Sequence, residues 1–406
     1  MFLFDRLLKR VIRKGTLHVI DASGKKHSYG GEPGPEVTIQ ITDAGLYRKL
    51  FTNPELHMGE AYMDGTLLVR EGGIRGFLTL SALNRQSVRN HPLQKLLRGT
   101  LKKLKRWQQR NTQKTSSANV RHHYDLSNDF YRLWLDNDMH YSCAYFATPE
   151  DTLEQAQQNK LRHIAAKLDL KPGQRVLDIG CGWGGNALYI ASVADVEVVG
   201  VTLSVEQHAL ATQRARERGL EKRVRFELMD YRNVQGPFDR IVSIGMFEHV
   251  GIDHFVEYFA KIRDLLTPDG LALVHSIGRK GGPGQTGAWV RRYIFPGGYS
   301  PALSETLAAV EKAGLWVTDI EILRLHYAKT LREWENRFQS HRPEITSMMD
   351  ERFCRMWEFY LIASELAFSH GKHMNFQLQL TRNVDALPLT RDYMFETEGR
   401  LPNKAN

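Results

Sequence analysis

Cysteine is scarce in this chain: Cys143, Cys181 and Cys354 are the only three in 406 residues. Their odd number and wide spacing exclude a disulfide framework and a cysteine-based zinc site, and fit a reducing cytosol. Long apolar runs are missing too, since none approaches the roughly 20 residues that span a bilayer. Residues 1–14 mix apolar positions with five basic ones, too interrupted for a signal peptide. No recognisable nucleic-acid-binding module accompanies the net charge of +9, so nucleic acid is not the expected partner. The charge instead favours an anionic surface such as phospholipid headgroups. His122 and His123 are adjacent rather than at the i, i+4 spacing of a helical metal pair, and no metal is expected. These absences describe a cytoplasmic protein, at most peripherally associated with the inner face of a membrane.

The most informative stretch present is Arg175-Val-Leu-Asp-Ile-Gly-Cys-Gly-Trp-Gly-Gly185. An apolar strand, a turn with Gly180, Gly182 and Gly185, and the helical run from Asn186 form a nucleotide-binding crossover, with free N–H groups facing the ligand. The Gly-x-Gly-x-x-Gly spacing also fits a dinucleotide site. Two details favour S-adenosylmethionine. Asp178, just before the first glycine, suits a cationic ligand and would repel a pyrophosphate. The second strand, Val196–Val201, ends in Thr202-Leu203-Ser204 rather than in the acidic residue that holds an NAD ribose.

Strand and helix patterns continue on both sides. A first domain over residues 1–107 has an amphipathic N-terminal helix, a period-two strand Val37–Ile41 and the segment Gly59–Gly65, with no catalytic cluster. From His91 to Arg110, Leu93, Leu97, Leu101 and Leu104 recur at helical spacing among basic residues. The stripe suits packing on the protein's own core, whereas the charge suits an anionic membrane interface. Residues 108–119 read as a linker. A second domain over 120–406 alternates strands and helices: Thr152–Leu168, Val205–Arg218, Arg223–Leu228, Phe238–Ile244, a helix with Phe255, Phe259 and Ile262, then Leu271–Ile277. This is the pattern of a doubly wound, mostly parallel sheet, with ligands outside the carboxyl ends of the strands. That rule places Asp178, Thr202, Asp230, Glu248 and His275 on one rim. The glycine-rich, aromatic segment from Arg279 through Trp289 to Tyr299 reads as a lid over an apolar substrate or as a surface loop. The helical tail Pro343–Phe368 reads as core.

These pieces together resemble the cyclopropane fatty acid synthases and, more broadly, the mycolic acid methyltransferases. The resemblance rests on Tyr124-Asp125 with Asn128-Asp-Phe130, Tyr141-Ser-Cys-Ala-Tyr145, Asp178-Ile-Gly-Cys-Gly-Trp-Gly184, Val201-Thr-Leu-Ser204, Gly245-Met-Phe-Glu-His-Val-Gly251, His275-Ser-Ile277, Phe295-Pro-Gly-Gly298 and Tyr327-Ala-Lys-Thr-Leu331. It implies an α/β fold: a Rossmann-like S-adenosylmethionine-dependent methyltransferase domain preceded by a smaller N-terminal α+β domain for lipid binding or oligomerisation. The implied reaction adds the methyl of S-adenosylmethionine across a cis double bond of an unsaturated phospholipid acyl chain, giving a cyclopropane. A bound bicarbonate is the implied general base. A homodimer is one assembly the resemblance leaves open.

Matching positions carry the family's site residues over. Cys143, Glu248, His275, Ile277 and Tyr327 would hold bicarbonate, with Cys143 and Ile277 offering backbone N–H groups, His275 and Tyr327 donating, and Glu248 accepting from the bicarbonate OH. Tyr141, Ser142, Gly180, Gly182, Thr202, Leu203, Gln207, Asp230 and Tyr231 would hold S-adenosylmethionine, together with Asp178. Ser364 stands where many family members have a cysteine, and is expected on a structural helix. Rival readings are a lipid methyltransferase that leaves the chain uncyclised, a small-amine N-methyltransferase, and a non-enzymatic membrane-binding protein.

Overall fold

A computed structural model of the chain describes residues 2–90 and 126–402. The basic stripe of 91–110, the expected linker, His122, His123 and the Tyr124-Asp125 pair lie outside the described residues. The chain divides into two compact units, each discontinuous in sequence. The first comprises Met1–Gln108, Thr286–Pro296 and Leu331–Lys372; the second comprises Gln109–Gln285, Gly297–Thr330 and His373–Asn406. Two segments within the expected 120–406 domain, Thr286–Pro296 and Leu331–Lys372, group with the first unit.

In the first unit, strands β1 (Lys14–Ile20), β2 (Lys26–Gly30), β3 (Glu32–Ile41) and β4 (Leu67–Glu71) form a sheet in the order β2-β1-β3-β4. The helix Gly73–Asn90 packs on β1 and β3. Asn84 fastens it there: its Oδ1 accepts from the N–H groups of Arg13 and Lys14 at 2.7 and 3.0 Å, and its Nδ2 donates to Lys14 O at 2.8 Å. The period-two pattern of Val37–Ile41 suggests a half-buried strand; Val37, Ile39 and Ile41 are buried on one face, and on the other Gln40 is half-buried while Thr38 is buried, its Oγ1 donating to Glu71.

The N-terminal helix Phe2–Val11 buries Phe4, Leu7, Leu8 and Val11 within its own unit and leaves Phe2 exposed. Its apolar face is therefore spent on the core of this unit. Part of the aromatic segment expected as a lid or surface loop is helical. It forms the helix Ala288–Tyr293, with Trp289 buried and its indole N–H 3.3 Å from Met63 Sδ. Gly59, within the helix Pro54–Met63, makes this fit possible, since a Cβ there would lie 2.3 Å from Trp289 Nε1. Arg75 binds Glu335 and Glu365, and Tyr62 donates to Glu358 at 2.6 Å, joining the early and late segments of this unit. The tail is two helices, Arg342–Met348 and Glu351–Ser369, with the half-buried Ser364 on the second. Trp357, Tyr360, Leu361 and Leu366 are core as expected, whereas Met348 at the break is exposed.

The second unit is built on seven strands: β5 (Arg175–Ile179), β6 (Glu197–Thr202), β7 (Val224–Leu228), β8 (Phe238–Ile244), β9 (Leu266–Arg279), β10 (Trp316–Leu323) and β11 (His373–Thr381). Their order is β10-β11-β9-β8-β5-β6-β7, parallel from β9 to β7, with β11 antiparallel to both its neighbours. This is the doubly wound Rossmann-like sheet the sequence implies. Local chemistry sets the helices: Thr152 and Gln155 make a reciprocal capping box for Leu153–Lys167, and Ser204 caps Val205–Glu217. The helix Phe255–Leu265 buries Phe255, Tyr258, Phe259, Ile262 and Leu265 against the sheet. None of the described helices is long and apolar enough to cross a membrane.

Candidate active site

The turn after β5 shows why glycines stand there. Gly180, Gly182 and Gly184 have φ of 79°, 55° and 85°, a region costing other residues roughly 1–2 kcal/mol. A Cβ at Gly184 would meet Phe226 at 2.7 Å, while one at Gly182 would enter open space. At Gly185, where the helix Gly185–Val193 begins, a Cβ would lie 2.5 Å from His140 Nε2, so glycine admits the imidazole.

All ten positions expected at the cofactor, namely Tyr141, Ser142, Asp178, Gly180, Gly182, Thr202, Leu203, Gln207, Asp230 and Tyr231, line one cavity of about 170 Å³. Thr202 Oγ1 donates to Gln207 Oε1 at 2.9 Å. Asp230 accepts from Arg232 N, Nε and Nη2 at 3.0, 2.9 and 2.6 Å. Tyr141 packs edge-on to Trp134, with centroids 5.4 Å apart. Trp183, next to the glycines, donates its indole N–H to Asn128 at 2.7 Å, which gives the Asn128-Asp-Phe130 motif a structural role. Asp178 is buried, accepts from Asn186 at 3.1 Å, and is pushed by burial up to about 6. The open space above Gly182 and a buried carboxyl suited to a cation both fit S-adenosylmethionine.

Lys160 and His140 also line this cavity, and no motif marks them. Lys160, 1% exposed, donates to Ser142 Oγ at 3.0 Å, and burial lowers its ammonium to about 8. It stands four residues from both Ala156 and Ile164, which are buried, so helical spacing already put it on the inner face. His140 faces Asp136 Oδ2 through Nδ1 at 2.7 Å, and its Nε2 is buried without a partner.

The five residues expected around bicarbonate form two tied groups, neither of which lines that cavity. In the first, Glu248 sits in the short turn Phe247–His249 after β8, and its Oε1 accepts from Ile277 N at 2.6 Å. Its backbone carbonyl accepts from Tyr299 N at 2.9 Å. Oε2 is buried without a partner, and burial raises the carboxyl to about 7. His275, on β9 two residues before Ile277, lies 3.1 Å from Asn375 Nδ2 through Nε2 and 3.2 Å from Gln377 Nε2 through Nδ1. Burial pushes its imidazole down to about 3, so the ring is neutral. In the second group, Ala144 N donates to Thr330 Oγ1 at 3.0 Å, joining the Cys143 segment to the start of the helix His326–Ser340, where Tyr327 is buried. Burial holds the Cys143 thiol protonated.

Two expectations change here. The Ile277 N–H, expected to be offered to an anion, is given to Glu248. His275, expected to donate to the anion, has both ring nitrogens engaged by β11. The orphaned Glu248 Oε2 nevertheless fits a small guest that donates a hydrogen bond, as bicarbonate does. Among the described residues, no group of three or more His, Cys, Asp or Glu is placed to hold a metal ion.

The family profile described as mycolic acid cyclopropane synthetase matches residues 111–378. This chain belongs to that family. A domain of unknown function matches residues 3–92. The chain is 39% identical to a probable fatty acid methyltransferase of Pseudomonas putida, over 84% of this chain and 85% of that protein. It is also 39% identical to the cyclopropane-fatty-acyl-phospholipid synthase of Escherichia coli, over 86% and 88% of the two chains. The solved structure of the cyclopropane synthase MmaA2 from Mycobacterium tuberculosis superposes with a TM-score of 0.62 at 35% identity, covering 66% of this chain and 98% of that one. Like the other members of the cyclopropane synthetase family, this protein is an S-adenosylmethionine-dependent methyltransferase, and S-adenosylmethionine is its methyl donor.

Proposed function

We propose that this enzyme acts on the cis double bond of an unsaturated acyl chain in a membrane phospholipid and closes a cyclopropane ring there, with bicarbonate bound beside Glu248. The observation that carries the reading is the buried Glu248 carboxyl, anchored through Oε1 and unpaired at Oε2. An unpaired polar atom in that setting costs roughly 1–3 kcal/mol unless a guest satisfies it.

An alkene is a weak nucleophile, so the protein must position it and exclude water. S-adenosylmethionine supplies the electrophilic methyl group, and bicarbonate would supply a base for the proton that leaves as the ring closes. Tyr141, Ser142, Thr202, Leu203, Gln207, Asp230 and Tyr231 would hold the donor, and Asp178 would face its positive charge. Glu248 would accept the bicarbonate OH at Oε2 and so aim the anion's basic oxygen. Cys143 serves through its backbone, since its buried thiol stays neutral. Tyr327 would donate, and His275 would do so through Nε2 when the anion takes the place of Asn375. The net charge of +9 supports docking on an anionic membrane face.

The test is mass spectrometry of unsaturated phospholipid vesicles incubated with the protein, S-adenosylmethionine and bicarbonate. Methyl transfer followed by proton loss adds about 14 mass units to one acyl chain, and NMR of the product must show the ring. The equal identity to a fatty acid methyltransferase favours a second reading, in which the added carbon stays a branch. A mass gain without the ring would establish that reading. Cofactor binding without any lipid product would overturn both and point to a soluble acceptor.

A further inference from the structure

β11 is buried on both faces although every second residue is polar: Asn375, Gln377, Gln379 and Thr381 are each no more than 1% exposed. Register explains one of them. Glu321 on β10, Gln377 on β11 and His275 on β9 are direct cross-strand neighbours, side by side across the sheet. Lys167, in the last turn of the helix Leu153–Lys167, reaches this row. Its ammonium pairs with Glu321 Oε2 and donates to Gln377 Oε1 at 2.7 Å. Glu321 is held in turn by His163 Nε2 at 2.6 Å, whose Nδ1 faces Glu398 at 2.9 Å.

An ammonium has donors and no acceptor, so Lys167 fixes which end of the Gln377 amide faces it. With Oε1 committed to Lys167, Gln377 can present only its NH2 to His275, and His275 Nδ1 must accept. A neutral imidazole with an accepting Nδ1 carries its proton on Nε2. Asn375 completes the pairing. Its Oδ1 is buried without a partner while its amide lies 3.1 Å from Nε2; turning that amide over gives the orphaned oxygen the ring N–H.

We propose that Lys167 and Gln377 are positioning residues that set the tautomer of His275, keeping its proton on Nε2 so that the ring meets a bound anion as a donor once Asn375 gives up that hydrogen bond. The last clause rests on the anion-site reading above. The opposite tautomer would turn a lone pair toward that anion.

The experiment is long-range ¹⁵N–¹H NMR of the full-length protein with ¹⁵N-labelled histidine, the His275 signals being identified by their loss in His275→Gln. The wild type should show a pyridine-type Nδ1 and a pyrrole-type Nε2; a protonated Nδ1 overturns the proposal outright. Gln377→Glu keeps a partner for Lys167 but offers Nδ1 an acceptor, and should move the proton to Nδ1. Lys167→Met frees the amide and should give a mixture of the two forms, which serves as the test if the first variant does not fold. An unchanged Nε2–H in the variants overturns the relay. Turnover of Gln377→Glu should need about 10- to 100-fold more bicarbonate, with S-adenosylmethionine affinity unchanged. Tautomers as expected with turnover indifferent to bicarbonate would uphold the relay and overturn the anion-site reading.

Discussion

The cofactor cavity and the end of β9 satisfy their polar groups in different ways. Around the cavity, glycine at 182 leaves open space, and burial keeps the Asp178 carboxyl raised despite the nearby Lys160 ammonium. At the end of β9 the side chains have closed on each other: Ile277 gives its N–H to Glu248, and β11 takes both nitrogens of His275. The first region is shaped for a large guest in advance. The second leaves Glu248 Oε2 and Asn375 Oδ1 without partners, and its other named groups are satisfied by one another. The cavity should therefore govern binding, and the β9 end should govern chemistry.

Glu248→Gln is the largest expected effect that would break this division. Losing a buried group that orients the base should cut kcat about 10²- to 10⁴-fold, while calorimetry should find S-adenosylmethionine affinity nearly unchanged. Full turnover in this variant would remove Glu248 from the mechanism. Next comes Asp178, whose effect should fall on binding. Burial holds its proton up to about 6, and a cationic donor favours the carboxylate, so affinity should rise as pH increases through about 6. Asp178→Asn should flatten that profile and weaken binding about tenfold above it. The same shift has a sign for folding. The folded carboxyl keeps its proton longer than the unfolded one, so without ligand this group's contribution to stability falls as pH rises from about 4 through about 6. The smallest effect belongs to Cys143→Ala. With its thiol buried and neutral, it should change kcat by less than about tenfold, a modest repacking cost, and a large loss would show that the sulfur itself takes part.

The two regions also differ in how much of them the sequence displays. The five parallel strands are legible because short apolar runs alternate with helical patterns, and most of the ten cavity positions follow motifs at the ends of those strands. β10 and β11 were not read. Asn375, Gln377 and Gln379 alternate with Phe376, Leu378 and Leu380, a pattern that signals one solvated face. Here the polar face is buried because it carries the partners of His275 and Lys167. Trp289 misled for a related reason: an aromatic between glycines looks like a lid until Gly59, more than two hundred residues earlier, shows where the indole lies. Pairings of that kind leave no local trace.

The interleaving of the two units has a consequence for how the chain is made. The first unit's core joins residues near the N-terminus to Glu335, Glu358 and Glu365, and the second unit's sheet stays open until β11 takes its place between β9 and β10. During synthesis the first unit cannot close before Leu331–Lys372 has emerged, nor the second before His373–Thr381, unlike domains that fold one after another as they leave the ribosome. The nascent protein thus keeps the groove beside Gly59 unfilled until Trp289 is made and the edge of β9 unpaired until β11 follows, and its yield in the cell should depend strongly on chaperones that cover such surfaces.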